Sequence, residues 1–380
     1  ASKYAVNVPE VSFDLSKIIA RKSKVVRKLV LGVKGKLTSN NVTIVTGEAQ
    51  IIDKNTVRCG EETYEGDNLI ICTGSETFIP PIAGIQAVDY WTHRDALDNK
   101  ELPASLAIVG GGVIGMEFAS FFNSLGVQVT VIEMLDEILG GMDKELSALL
   151  RAEYAKRGIR FLLSTKVVSL SQSEEGAVVA YENAEGAGSV VAEKLLMSVG
   201  RRPVSKGFGL ENLGLQLTER GNVAVDNKMQ TSVPGVYVCG DLTGFSLLAH
   251  TAVREAEVAV HAILGKEDTM SYRAIPGVVY TNPEIAGVGQ TEESLLAKGI
   301  PYHAVKLPMA YSGRFVAENE GVNGVCKILI GEDKTILGAH VLGNPASEII
   351  TLAGMAVELK LTTTEWKKIV FPHPTVAEIF

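Results

Sequence analysis

The sequence predicts an α/β chain with two Rossmann-like nucleotide-binding domains, the first incomplete and the second complete, followed by a C-terminal α+β domain. Three observations lead there. SLAIVGGGVIGMEFASFFNSLGVQVTVIEM (105–134) reads as strand, glycine turn, helix and strand in one unit. Two apolar runs, Leu69-Ile-Ile-Cys-Thr-Gly-Ser75 and Leu195-Leu-Met-Ser-Val-Gly-Arg201, echo one another, each breaking at glycine with proline soon after. Beyond residue 274, strand-like VCKILI and LGAHVLG alternate with the helix-like SEIITLAGMAVEL.

Composition sets the bounds. A chain of 380 residues with 46% apolar and 21% charged residues can bury the cores of two or three domains. Lys+Arg 36 against Asp+Glu 44 gives −8, which argues against a nucleic-acid binder. ASKYAVNVPE lacks the charged and apolar regions of a secretory signal, and no apolar run approaches the roughly 18 residues of a membrane span. No membrane association is expected. The cysteines, Cys59, Cys72, Cys239 and Cys326, show neither C-x-x-C nor zinc spacing, so no metal site is expected and a reducing cytoplasm is the simplest location. Cys72 and Cys239 lie in short apolar runs and read as buried strand residues.

Along the chain, residues 11–36 carry eight Lys/Arg from Lys17 onward, with Ile18, Val25, Leu29 and Val33 at helical spacing. This predicts an amphipathic helix with a solvated basic face. VTIVTGEAQIID (42–53) and NLIICTG (68–74) read as strands, and the prolines near 79–84 as a linker. After the central unit and its further strands comes GNVAVDNKMQTSVPGVYVCGD (221–241), a strand ending on Gly240-Asp241. LLAHTAVREAEVAVHAIL (247–264) has helical periodicity.

The central unit carries the most specific motif. Gly110-x-Gly112-x-x-Gly115 follows a strand, opens a helix, and precedes a second strand closed by Glu133, 18 residues beyond Gly115. Such glycines permit the tight turn and let backbone amides reach a pyrophosphate at the positive helix end. Glu133 can accept hydrogen bonds from an adenosine ribose and would repel a 2′-phosphate, so the expected ligand is NAD rather than NADP. The residues lining it run through Gly110, Gly111, Gly112, Val113, Ile114, Gly115, Met116 and Glu117, with Glu133.

Taken in order, these segments resemble the flavin-dependent pyridine nucleotide-disulfide oxidoreductases, and within them most closely the dihydrolipoamide dehydrogenases. The resemblance covers nearly the whole chain: TGEA and ICTGS look like flavin-domain segments, IVGGGVIGMEFAS with VTVIE like the NAD half, and YVCGD (237–241) like the segment that holds the flavin's ribityl chain. LLAH (247–250) looks like the helix start beneath the flavin ring, and YTNPEIAGVGQTE (280–292) with HPTVAE (373–378) like the dimerisation domain. The resemblance implies FAD and NAD as cofactors, a homodimer, and oxidation of a dihydrolipoyl group on the lipoyl domain of a 2-oxoacid dehydrogenase or glycine cleavage complex. Electrons would pass through a dithiol and FAD to NAD. It implies that Gly47, Thr73, Gly74, Ser75, Asp241, Leu247, Leu248, Ala249 and His250 line FAD, and adds Val167 and Gly200 to the NAD site. Taken alone, Asp241 is a turn residue after a strand and His250 a helix-start residue. The implied domains are the remainder of a FAD domain (1–84), an NAD domain (85–202), a return to the FAD or central domain (203–273) and a dimerisation domain (274–380).

One departure matters. The family opens with its own flavin G-x-G-x-x-G unit and a helix bearing two cysteines separated by four residues; this sequence contains neither. It therefore reads as an N-terminally truncated chain. The alternatives are a glutathione or mercuric reductase type of disulfide reductase, or a catalytically inactive NAD-binding dimer.

FPHPTVAEIF (371–380) remains. Thr375-Val-Ala-Glu378 fits a capping box, which is also found at Thr362-Thr-Thr-Glu365 with no histidine nearby. The resemblance implies instead that His373 is a catalytic acid–base and that Glu378 orients it, facing the dithiol of the other subunit. Glu378 can serve as cap and orienter together.

Overall fold

The computed structural model describes residues 5–319, 321 and 323–380. Its centre is a five-stranded parallel sheet in the order Tyr90–Trp91, Lys194–Met197, Ser105–Val109, Gln128–Ile132, Arg160–Leu162. Leu106, Ala107 and Ile108 are wholly buried, as a parallel strand covered on both faces requires. The helix Val113–Ser124 lays Met116, Ala119 and Phe122 onto one face. On the other lies an antiparallel meander, Lys166–Ser173, Gly176–Asn183 and Gly186–Ala192, whose Val179 and Val190 pack against Val109 and Leu195.

Around Asp241 the parallel arrangement is smaller. Leu69–Ile71 pairs in parallel with Val236–Val238, and among the described residues that sheet has two strands. A separate antiparallel sheet, Ala49–Asp53, Thr56–Cys59 and Glu62–Glu65, adjoins it through Ile51, which shares a core with Ile71, Leu210 and Val238. The ends of the two echoed runs meet: Ser75–Thr77 pairs antiparallel with Arg201–Pro203, so the chain crosses between the nucleotide-binding units twice, side by side.

Three sequence expectations shift here. Of the run 42–53 only Ala49–Asp53 is strand, and Val42, Ile44 and Val45 are exposed. The basic helix forms as Leu15–Ser39, with the Asp14 carboxylate accepting from the Lys17 N–H, yet its apolar stripe is exposed as well; Leu29 and Val33 are 65% and 62% exposed. It is anchored instead by buried Leu15 and Ile19 and by a Lys22–Asp98 ion pair of 2.6 Å. Cys72 is exposed rather than buried because it lines an open cavity, whereas Cys239, which likewise stands one residue past its strand, is buried as expected.

The C-terminal unit is a five-stranded antiparallel sheet, ordered Gly277–Val279, Ile285–Gly289, Ile336–Leu342, Val325–Gly331, Tyr302–Pro308. The helix Ala346–Glu358 buries Ile349, Ile350, Ala353 and Val357 against it. Lys327 on the strand Val325–Gly331 is 1% exposed and reaches Asp143 (2.8 Å), Glu145 (2.6 Å) and Glu292 (2.7 Å). Burial alone would lower its pKa, but the three carboxylates outweigh burial and raise it. Asp143 also caps the helix Lys144–Lys156, so this cluster clamps the central unit to the C-terminal sheet. No helix among the described residues is long and apolar enough to cross a membrane, and none of the described His, Cys, Asp and Glu residues form a group of three or more suited to a metal.

Candidate active site

The glycine loop is built by close approach. Gly110 has φ +106°, and a Cβ there would stand 2.2 Å from the Ser198 carbonyl oxygen; at Gly115 a Cβ would stand 2.0 Å from the Gly110 carbonyl oxygen. Any side chain at either position would push the helix off the strand. At Gly112 nothing lies within 4 Å of where a Cβ would be. That open space adjoins the N-terminus of the helix Val113–Ser124, whose unpaired amides and dipole favour an anion. The Glu133 carboxylate accepts from the Gly111 N–H (2.6 Å) and the Leu135 N–H (2.8 Å), which fixes it beside the loop while leaving lone pairs for a hydroxyl ligand. These residues fit NAD.

Other members of the predicted NAD set gather at the same carboxyl edge of the sheet. Thr165 N–H bonds the Glu133 carbonyl at 2.9 Å, bringing the segment that carries Val167 to the strand end. Gly200, with φ +119° and open space around it, follows the strand Lys194–Met197. Val113 is exposed at the helix start and Ile114 half-buried. Met116 and Glu117 turn elsewhere: Met116 is in the core, and the Glu117 carboxylate accepts from the Tyr280 N–H at 2.9 Å, its pKa raised by burial.

Ser75 and Asp241 meet directly, the Ser75 hydroxyl donating to the Asp241 carboxylate. Arg201 joins them, its Nε donating to Ser75 Oγ (2.7 Å) and its Nη2 to the Ser75 carbonyl (2.6 Å). Sequence reasoning passed over Arg201, and only its place in GRRP after an echoed glycine could have signalled it. Thr73 donates to the Val204 carbonyl (2.7 Å), and Gly74, at φ +71°, accepts from Val204 N–H (3.0 Å). Thr73 also lines a cavity of about 630 Å³ with Glu48, Ile71, Cys72, Lys206 and Phe208. Gly47 stands beside Cys59, whose Sγ would lie 2.6 Å from a Cβ there. Leu247 is exposed, Leu248 is the N-cap of the helix Ala249–Ile263, and His250 Nε2 donates to the Pro276 carbonyl (3.0 Å). Buried Glu255, also missed, accepts from Gly240 N–H and Tyr272 Oη, both at 2.6 Å. The Asp241 carboxylate and this open helix start fit one part of a flavin nucleotide.

At the chain's last turn, His373 Nδ1 and Glu378 Oε1 are 2.8 Å apart, and Glu378 Oε2 accepts from the Thr375 N–H, also at 2.8 Å. One carboxylate therefore caps the turn and orients the ring. The Thr375 amide first, and then His373, hold Glu378 below the usual carboxylate range. The imidazole is 79% exposed, presented to a surface rather than used in packing.

A complete dinucleotide unit, a second parallel pair ending on Gly–Asp, and a terminal α+β unit whose last turn carries an exposed His–Glu pair together define a nucleotide-dependent oxidoreductase. The chain belongs to the pyridine nucleotide-disulphide oxidoreductase family, whose model matches residues 1–256, with its dimerisation domain matching residues 275–380. The family consists of FAD- and NAD-dependent disulfide oxidoreductases, and the dimerisation domain supports a homodimer. Among its relatives is the dihydrolipoyl dehydrogenase of Geobacillus stearothermophilus, 36% identical over 100% of this chain and 81% of that protein. The mitochondrial dihydrolipoyl dehydrogenase of Homo sapiens is 35% identical over 99% of this chain and 75% of that protein. Similar solved structures are LpdA from Mycobacterium tuberculosis (27% identity, TM-score 0.88, 97% of this chain and 83% of that one). The HOCl-induced flavoprotein disulfide reductase RclA from Escherichia coli is 28% identical, with a TM-score of 0.87 over 96% of this chain and 84% of that one.

Proposed function

We propose that the chain is the NAD-binding and dimerising body of a dihydrolipoamide dehydrogenase, acting on the lipoyl domain of a larger complex in the cytoplasm. The observation that carries the reading is Glu133, clamped by the Gly111 and Leu135 amides beside the open space at Gly112. Its carboxylate is set to accept from a ribose hydroxyl and to repel a 2′-phosphate. Bound NAD supplies the hydride acceptor of the family reaction. Gly110 to Gly115, Glu133, Val167 and Gly200 hold it; Thr73, Gly74, Ser75, Asp241 and the turn Leu247–His250 hold part of FAD. We take the flavin half as the incomplete one, a reading supported by its parallel pair, which among the described residues has two strands against five in the NAD unit. The proposed domains remain 1–84, 85–202, 203–273 and 274–380.

Titration calorimetry tests the reading. NADH should bind at least about tenfold more tightly than NADPH, since a phosphate facing a carboxylate loses roughly 1.4 kcal/mol or more. Equal affinities would remove the assignment. Sedimentation should give a dimer at micromolar concentration; a monomer alone would contradict the proposed role of residues 274–380.

A second reading has one observation in its favour. Cys59, Cys72, Cys239 and Cys326 include no two separated by four residues, so this chain does not hold the family's dithiol motif. On that reading it is a catalytically inactive NAD-binding dimer, and it should bind NADH normally while showing no lipoamide turnover.

A further inference from the structure

Cys72 and Cys239 form a pair that sequence separation conceals. In the parallel ladder Leu69 stands opposite Val236, Ile70 opposite Tyr237 and Ile71 opposite Val238; the next residues are Cys72 and Cys239. The ladder carries on to them, the Cys239 N–H donating to the Ile71 carbonyl at 3.1 Å. Neighbouring strands run about 4.8 Å apart, and residues at matched positions of a parallel pair point to the same face. That spacing lies inside the roughly 4.4–6.8 Å between Cα atoms that a disulfide spans.

We propose that Cys72 and Cys239 form a thiol–disulfide exchange site for low-molecular-weight disulfides, separate from the family's redox motif, with Cys72 attacking and Cys239 resolving. The roles follow from access. Cys72 is exposed and lines the 630 Å³ cavity, whereas Cys239 is 1% exposed. An incoming disulfide reaches the first sulfur and not the second.

The electrostatics agree. The Cys239 thiol, as a hydrogen-bond partner, draws the Cys72 pKa down to about 7, against the opposing effects of burial and of the Glu255 carboxyl. Cys239 is pushed up by the same contact and by burial, so the exposed sulfur is the one that carries the thiolate. Glu255 and Tyr272 are the other titratable groups facing the pair, and Tyr272 donates to Glu255. Cys326 is the contrast: buried without a partner thiol, it is pushed up to about 12 and is inert.

The step balances. The Cys72 thiolate attacks one sulfur of RSSR, forming a mixed disulfide and releasing RS⁻. Cys239, giving up its proton, attacks the Cys72 sulfur, forms the intrachain disulfide and expels the second RS⁻. Two thiols are oxidised by two electrons, one RSSR is reduced to two RSH, and the thiol protons end on the released sulfurs.

Oxidised glutathione is the probe, with acid quenching, alkylation, intact mass and tryptic mapping. Wild type should lose two thiols, retain no glutathione and yield the Cys72 peptide linked to the Cys239 peptide. Cys239→Ser and Cys239→Ala should both stop at a stable glutathione adduct on Cys72. Cys72→Ser should react at least about tenfold more slowly. A persistent Cys72 adduct in wild type, linkage of Cys72 to Cys59, or a Cys72→Ser variant reacting as fast as wild type would each overturn the pairing. NADH affinity is the control: it reports on the Gly112–Glu133 site and should be the same in every variant.

Discussion

Replacing Lys327 with methionine is expected to lower folding stability by about 3–5 kcal/mol, because it removes one partner of a buried ion cluster and leaves the other. Asp143 is 1% exposed, and both its oxygens lie 2.8 Å from the Lys327 ammonium. Glu145 and Glu292 converge on the same nitrogen, and Lys306, 2.7 Å from Glu145, is the nearest remaining cation. Without Lys327, three carboxylates crowd one exposed lysine. The loss should be read from urea midpoints at constant slope. Adding Asp143→Asn should recover part of it, since the amide removes the stranded charge and keeps an oxygen to accept the Leu146 N–H. A Lys327→Met loss below about 1 kcal/mol would mean that water enters the cluster and the clamp is weak.

That cluster marks what the sequence conceals. Asp143, Glu145, Glu292 and Lys327 come from the start of one helix, the start of another and the middle of a strand. No local period links them, and Lys327 stands as a single charged residue in the apolar run VCKILI, with nothing in sequence to show what it pairs with. The dinucleotide unit was legible for the opposite reason. Its requirements are local: a turn at Gly110, an open helix start at Gly112 and an acidic strand end at Glu133 all fall within 105–134. The echo of the two glycine-broken strands was legible too, but not that Ser75–Thr77 and Arg201–Pro203 would pair, nor that Arg201 would join Ser75 to Asp241. Such a tie depends on where two chain crossings meet. Cys72 was misread as buried because an apolar run gives no sign of which of its residues line a cavity and which face the core.

In an enzyme carrying the family's cysteine pair, His373→Ala is expected to cut lipoamide turnover by at least about a hundredfold while leaving NADH binding and dimerisation nearly unchanged. An ordinary thiol, with a pKa near 8.5, is mostly protonated at neutral pH and needs a base to form the thiolate. An imidazole with an ordinary pKa of about 6.5 can take that proton and return it. Because the Glu378 carboxylate is acceptor-only, His373 Nδ1 must donate to it, which leaves Nε2 free to accept. Glu378→Gln should cost less activity, since the amide oxygen still accepts from Thr375 N–H and holds the turn. The structural alternative predicts something different. If His373 only packed the chain end, its loss would unfold the terminal turn, yet the ring is 79% exposed and Val376 and Ile379 supply the buried contacts there. In the His373→Ala protein Glu378 should still titrate below the ordinary carboxylate range, because the Thr375 amide is the larger cause of its depression. NMR titration of Glu378 separates the two: a depressed value with turnover lost is the signature of a catalytic histidine. A Glu378 value back in the ordinary range, with turnover intact in the folded fraction, would make His373 a structural residue.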